Sequence, residues 1–155
     1  LFIDPKAFKS KEDFDREIVK NLRKHQIGLV CLAGYMRVLT PYFVKEFKDR
    51  IINIHPALLP SFKGTNGIKD ALDYGVKITG PTVHFVTTKV DAGPIIAQSA
   101  VEIKDDDTED TLWKRVHEEE HKIYPKAIKD FIEGQLMVKN RKVVHKKRIR
   151  NESKD

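Results

Sequence analysis

Apolar positions along the chain switch several times between helical and strand spacing, the pattern of one alternating α/β domain without internal repeat or linker. Phe14, Ile18, Val19 and Leu22 recur at helical spacing behind Ser10-Lys11-Glu12-Asp13. A helix therefore opens there, with Ser10 as N-cap and Asp13 at the capping-box position that usually holds Glu or Gln. Gly28 closes that element. The run Ile27-Gly28-Leu29-Val30-Cys31-Leu32-Ala33 lacks polar alternation and predicts a fully buried strand. Gly34-Tyr35-Met36-Arg37-Val38-Leu39 follows as a strand-end loop, and Thr40-Pro41 supplies an N-cap with proline at the first helical position of a helix reaching about Phe47. Ile51, Ile52 and Ile54 predict a central strand that must stop at Pro56, which has no ladder N–H. Beyond the loop 61–67, a short helix over about 68–74 is closed by Gly75. Residues 78–86 and 95–101 each predict a strand, with the loop 87–94 between them. Asp105, Asp106 and Asp107 suit the positive end of a long helix over about 108–132. Residues 136–145 predict a hairpin with Asn140 in its turn.

Composition narrows the class. The 155 residues, 40% hydrophobic and 34% charged, are those of a globular domain with a sizeable core. No stretch is apolar enough to cross a bilayer, and no secretory signal opens the chain, so the expected location is the cytoplasm, without a membrane partner. Cys31 is the single cysteine; its apolar surroundings predict a reduced, buried thiol. The net charge of +6 is local: residues 139–155 hold eight basic and two acidic side chains, which accounts for the whole excess. Such a tail can bind nucleic acid or be a solvated hairpin and frayed end. It has no aromatic residue for base stacking, so no nucleic-acid partner is expected. The chain starts at Leu1, and Leu1-Phe2-Ile3-Asp4-Pro5 reads like the end of a strand already inside a fold, which suggests a fragment of a longer chain.

The chemistry concentrates where strands end, the usual ligand position in open α/β sheets. Asn53 and His55 are two apart and share one strand face, so an amide able to stabilise an oxyanion sits beside an imidazole able to move a proton. The plain alternative is a turn asparagine and a satisfied core histidine. His84, in Pro81-Thr82-Val83-His84-Phe85-Val86, fits a supporting role or a buried structural one. Asp91, in Asp91-Ala92-Gly93-Pro94, can orient His55 and favour its protonated form, or simply make a turn. No close-spaced ligand pair supports a metal, and the hydrolase elbow, the P-loop and the dinucleotide fingerprint are absent.

Four ordered segments carry a resemblance: Leu32-Ala33-Gly34-Tyr35-Met36-Arg37-Val38-Leu39, Asn53-Ile54-His55-Pro56-Ala57-Leu58-Leu59-Pro60, Gly80-Pro81-Thr82-Val83-His84-Phe85-Val86 and Asp91-Ala92-Gly93-Pro94-Ile95-Ile96. In order and separation they resemble the phosphoribosylglycinamide formyltransferase family of purine synthesis. The resemblance covers about residues 1–139, as the C-terminal larger part of a formyltransferase domain, and leaves 140–155 as a basic tail. It implies a three-layer α/β/α fold with a mostly parallel central sheet, a long C-terminal helix and a short hairpin. The family's N-terminal Rossmann-like part, with the Gly-rich loop that holds the substrate phosphate, is not found; without it the 155 residues are expected to bind folate better than glycinamide ribonucleotide.

The implied reaction moves the formyl group of 10-formyltetrahydrofolate, a cosubstrate, to the amine of glycinamide ribonucleotide, without metal, in a monomer or homodimer. By the same resemblance Asn53, His55 and Asp91 are catalytic, with His84 supporting. Met36, Arg37, Val38, Leu39, Asn53, Thr87, Thr88, Lys89, Val90 and Asp91 bind folate, and His117 and Glu120 bind the nucleotide substrate. His117 stands where the family pattern suggests glutamine. Competing readings are formyltetrahydrofolate hydrolase, whose relatives commonly carry histidine at the position of Pro56, and methionyl-tRNA formyltransferase, which needs a further tRNA-binding domain. A truncated, non-catalytic folate-binding module is the reading from a different class.

Overall fold

The computed structural model describes residues 2–146. Helix α1, Lys11–Lys24, starts where Ser10 accepts the Asp13 N–H at 3.0 Å. The Asp13 carboxylate is a methylene shorter than Glu and accepts from the Ser10 hydroxyl at 2.7 Å. Strand β1, Val30–Ala33, leads to α2, Pro41–Glu46, which Thr40 caps by accepting from the Phe43 N–H. Strand β2 is Ile51–His55 and α3 is Gly67–Tyr74, ended by Gly75 in the left-handed conformation. Helix α4, Glu109–Ile132, begins with a reciprocal box between Thr108 and Thr111 and continues through Pro125.

The two long strands expected at 78–86 and 95–101 are each broken. Ile78–Thr79 (β3) and Thr82–Phe85 (β4) part at Gly80-Pro81, and Ile95–Gln98 (β5) and Val101–Glu102 (β6) part at Ser99-Ala100. Gly80 has φ 144°, and a Cβ there would stand 1.9 Å from the Ser99 carbonyl oxygen, so the two corners press on one another. Strands β3 and β6 form a separate two-stranded sheet, while the main sheet has the order β1-β2-β4-β5. Residues 136–145 form the expected hairpin of β7, Leu136–Lys139, and β8, Lys142–His145, with Asn140 at φ 55°. The boundary drawn between 139 and 140 falls in its turn, and residues 147–155 of the basic tail lie outside the described residues.

The sheet differs from expectation in two ways. Among the described residues only β1 and β2 pair in parallel; β4 runs antiparallel to both β2 and β5. The loop joining β4 to β5, residues 86–94, is shorter than the dozen or more residues a parallel crossover takes, which accounts for the antiparallel β4–β5 pair. Strand β1 is also not fully buried: Val30 and Leu32 are half-buried, whereas Cys31 and Ala33 are exposed. It is an edge strand, so one neighbour and one cover are lacking among the described elements. Partial burial still pushes the Cys31 thiol above its ordinary pKa.

Strand β2 is the central one, and its alternation divides the core. Ile51 packs with Val19, Phe43 and Phe47 on the side of α1 and α2, while Ile54 packs with Val83, Ala127 and Tyr124 on the side of α4. The Tyr124 hydroxyl reaches the carbonyls of Leu32 at 2.7 Å and Ile52 at 3.2 Å, tying α4 across the ends of β1 and β2. A third cluster of Ile68, Ala71, Leu112 and Val116 seats α3 on α4.

Candidate active site

A cavity of about 520 Å³ opens at the ends of β1 and β2. Asn53 and His55 project into it from one face of β2, as the two-residue repeat requires. Across the antiparallel ladder, Asn53 pairs with His84 and His55 with Thr82. The buried Thr82 hydroxyl donates to the Ala57 carbonyl at 2.7 Å and accepts from the Leu59 N–H at 3.1 Å and Gln98 Nε2 at 3.0 Å. Those bonds satisfy the backbone freed by the turn after His55 and fix where that strand ends.

His55 is buried, and its environment assigns its neutral tautomer. Nε2 lies 2.7 Å from the Phe62 carbonyl, which can only accept, so Nε2 carries the proton. Nδ1 then faces Asp91 Oδ2 at 3.6 Å. Protonation puts a second N–H on that edge, directed toward a carboxylate. Asp91 sits on the loop after β4, and its Oδ2 also accepts the Gly64 N–H at 2.8 Å. Gly93 permits the fold-back of that loop, since a Cβ there would lie 1.7 Å from the Phe85 carbonyl oxygen. Phe62 and Asp91, the residues facing the two ring nitrogens, both have left-handed backbones, φ 49° and 46°. Bulky and β-carbon-bearing residues adopt that region only where their surroundings hold them.

His84 is buried, with Nδ1 donating to the Phe85 carbonyl at 2.9 Å. Burial pushes its pKa below the ordinary histidine value and outweighs both the Phe85 bond and the Asp91 charge. The 3.7 Å approach of Nε2 to Asp91 is an ion pair only for a charged ring, so in the neutral ring it is a dipolar contact. The Nε2 lone pair is therefore free to accept the Asn53 amide N–H, at a long 3.4 Å. That contact turns the amide nitrogen of Asn53 toward His84 and settles which end is which.

The structure brings Asn53, His55, His84 and Asp91 into one cavity, together with Met36, Arg37, Val38, Leu39, Thr87, Lys89, Val90, His117 and Glu120. Thr88 alone of the expected residues is not in its wall. Arg37 lays its guanidinium over the Phe14 ring at 4.7 Å, so part of its charge is committed to α1. His117 Nδ1 donates to Glu120 Oε2 at 2.8 Å, and its ring stacks on Trp113 at 4.6 Å. Trp113, Tyr35, Gly64 and Thr65 line the cavity without having been singled out. Spacing reveals the first of these, since Trp113 precedes His117 by one helical turn. Among the described residues no group of His, Cys, Asp or Glu could hold a metal ion, and no helix is long and apolar enough to cross a membrane.

An amide, two imidazoles and a carboxylate thus converge on one cavity at the strand ends of a mixed sheet. The formyl transferase family model matches residues 1–128, and the chain belongs to that family. It is 44% identical over 129 residues to phosphoribosylglycinamide formyltransferase of Bacillus subtilis, covering 83% of this chain and 66% of that one. A trifunctional purine biosynthetic protein adenosine-3 of Drosophila melanogaster is 46% identical over 138 residues, 89% of this chain and 10% of the relative. The solved glycinamide ribonucleotide transformylase 1 of Symbiobacterium toebii superimposes with a TM-score of 0.90 at 47% identity, covering 92% of this chain and 68% of that one. The chain thus spans two thirds or less of the curated relatives' length.

Proposed function

We propose that this chain carries the formyl-transfer centre of a phosphoribosylglycinamide formyltransferase, acting in purine biosynthesis with 10-formyltetrahydrofolate as donor and glycinamide ribonucleotide as acceptor. The observation that supports it most is the placing of His55 between the Phe62 carbonyl and Asp91, with Asn53 beside it in the same cavity. The acceptor amine attacks the formyl carbon and the carbonyl oxygen becomes a tetrahedral oxyanion. The Asn53 amide and the protonated Nδ1 edge of His55 donate to that oxygen. At 3.6 Å the Nδ1 edge is not closely paired with Asp91, which leaves it able to share its proton with the reacting atoms. Asp91 stabilises the imidazolium and takes the amine proton, returning it through water to the departing folate nitrogen. The new C–N bond forms in the attack, and the bond to folate N10 breaks when the tetrahedral oxyanion collapses, with no covalent enzyme intermediate.

The folate ring occupies the wall formed by residues 36–39 and 87–91, whose apolar side chains and backbone groups suit a flat pterin. Glu120 and His117 face the ribose hydroxyls of the nucleotide. The test is formyl transfer by the full chain and by His55→Ala. Loss of one oxyanion donor removes on the order of 2.7–4 kcal/mol of transition-state stabilisation, so kcat should drop about 10²- to 10³-fold. Transfer retained by the variant would overturn the assignment, and formate release without acceptor would point to hydrolysis instead.

A further inference from the structure

The turn of the C-terminal hairpin reaches the candidate site. Arg141, between β7 and β8, donates from Nη1 to the Ala92 carbonyl at 2.8 Å. Ala92 directly follows Asp91, and Gly93 after it is wedged against the Phe85 carbonyl. The corner at 91–93 is therefore gripped on three sides: by the sheet at Phe85, by the Gly64 N–H on the Asp91 carboxylate, and by the hairpin at Ala92. Asp91 has a left-handed backbone, which aspartate tolerates better than most residues, and these contacts hold it there.

We propose that Arg141 is a positioning residue for the transfer site. Its guanidinium fixes the corner that carries Asp91, and so sets the Asp91–His55 spacing and the shape of the folate wall at 87–91. The bond is charge-assisted, and the planar fork of arginine holds its direction in a way a lysine ammonium does not. Arg141 is exposed, so the bond adds little to global stability; its influence is on the local opening of one loop. The hairpin thereby serves as a brace for the site rather than as an appendage.

The inference rests on the folate reading above, and its test separates the two. The 155-residue chain carrying Arg141→Gln, Arg141→Lys or the neighbouring control Lys142→Gln is titrated with 10-formylfolate and, in parallel, with glycinamide ribonucleotide. Binding is followed by fluorescence of Trp113, the sole tryptophan, which lies in the cavity wall. Hydrogen exchange is measured over residues 87–93. Arg141→Gln should raise the Kd for 10-formylfolate about three- to tenfold and speed exchange at the corner, with the nucleotide Kd and Tm unchanged. Arg141→Lys should recover part of the affinity, and Lys142→Gln should match the parent. Parental folate affinity and exchange in Arg141→Gln, or equal losses in Lys142→Gln, would overturn the proposal. If the parent does not bind 10-formylfolate, the folate reading fails, and the exchange comparison alone decides whether Arg141 braces the corner.

Discussion

His84 stands directly across the β2–β4 ladder from Asn53 and offers its Nε2 lone pair to the asparagine amide. That acceptor exists only while the ring is neutral, the state burial favours. The folded-state pKa lies below the ordinary value of 6.5, so the unfolded chain binds the proton more readily. The His84 contribution to stability is complete above that value and is lost as pH falls below it. Urea unfolding between pH 7.5 and 5 should show stability decreasing toward acid, and His84→Gln should flatten that slope. An unchanged slope in the variant would place the acid sensitivity elsewhere.

Thr82→Val keeps the side-chain shape but removes the hydroxyl shared by Ala57, Leu59 and Gln98. The buried Leu59 N–H and Ala57 carbonyl lose that partner but keep their 3.0 Å bond to one another, and Gln98 keeps its bond to the Leu59 carbonyl, so neither is left wholly unsatisfied. A loss of about 1–2 kcal/mol is expected in denaturant unfolding. A change under half a kilocalorie would mean that water replaces the hydroxyl.

Asp91→Asn retains an oxygen for the Gly64 N–H while removing the charge that faces His55. Affinity for a folate analogue should therefore hold while kcat falls about 10²-fold or more, within the range for loss of a proton-transfer group. Equal losses in affinity and kcat would instead indicate collapse of the loop.

Gly93→Ala places a methyl 1.7 Å from the Phe85 carbonyl oxygen and must push the Asp91 loop off the sheet. Overpacking of this kind costs about 1–3 kcal/mol and should weaken folate binding as well. Gly28→Ala, where nothing lies within 4 Å, is the matched control and should leave both measurements near the parent.

Local rules carried much of the fold. Ser10, Thr40, Thr108 and Gly75 mark helix ends because their short-range hydrogen bonds and dihedrals are written in neighbouring residues. The alternation at Asn53 and His55 likewise puts both groups on one face, since the two-residue repeat of a strand needs no distant partner. Properties that depend on distant partners were not legible. Cys31 sits in apolar text yet is exposed, because strand position in the sheet decides burial. The corners at Gly80 and Ser99 break two strands by pressing on each other from 19 residues apart, and neither segment announces the other. Arg141 meets Ala92 across 49 positions, a separation no spacing rule spans.

The left-handed backbones of Phe62 and Asp91 bear on when the site exists as well as where it is. Strand β2 holds His55 within the sheet, but the partners of both its ring nitrogens sit on loops with left-handed backbones. Relaxation of either loop leaves the ring where it is and takes away what tunes it. The environment of the ring is thus less stable than the fold around it, and is set by the weaker of the two corners.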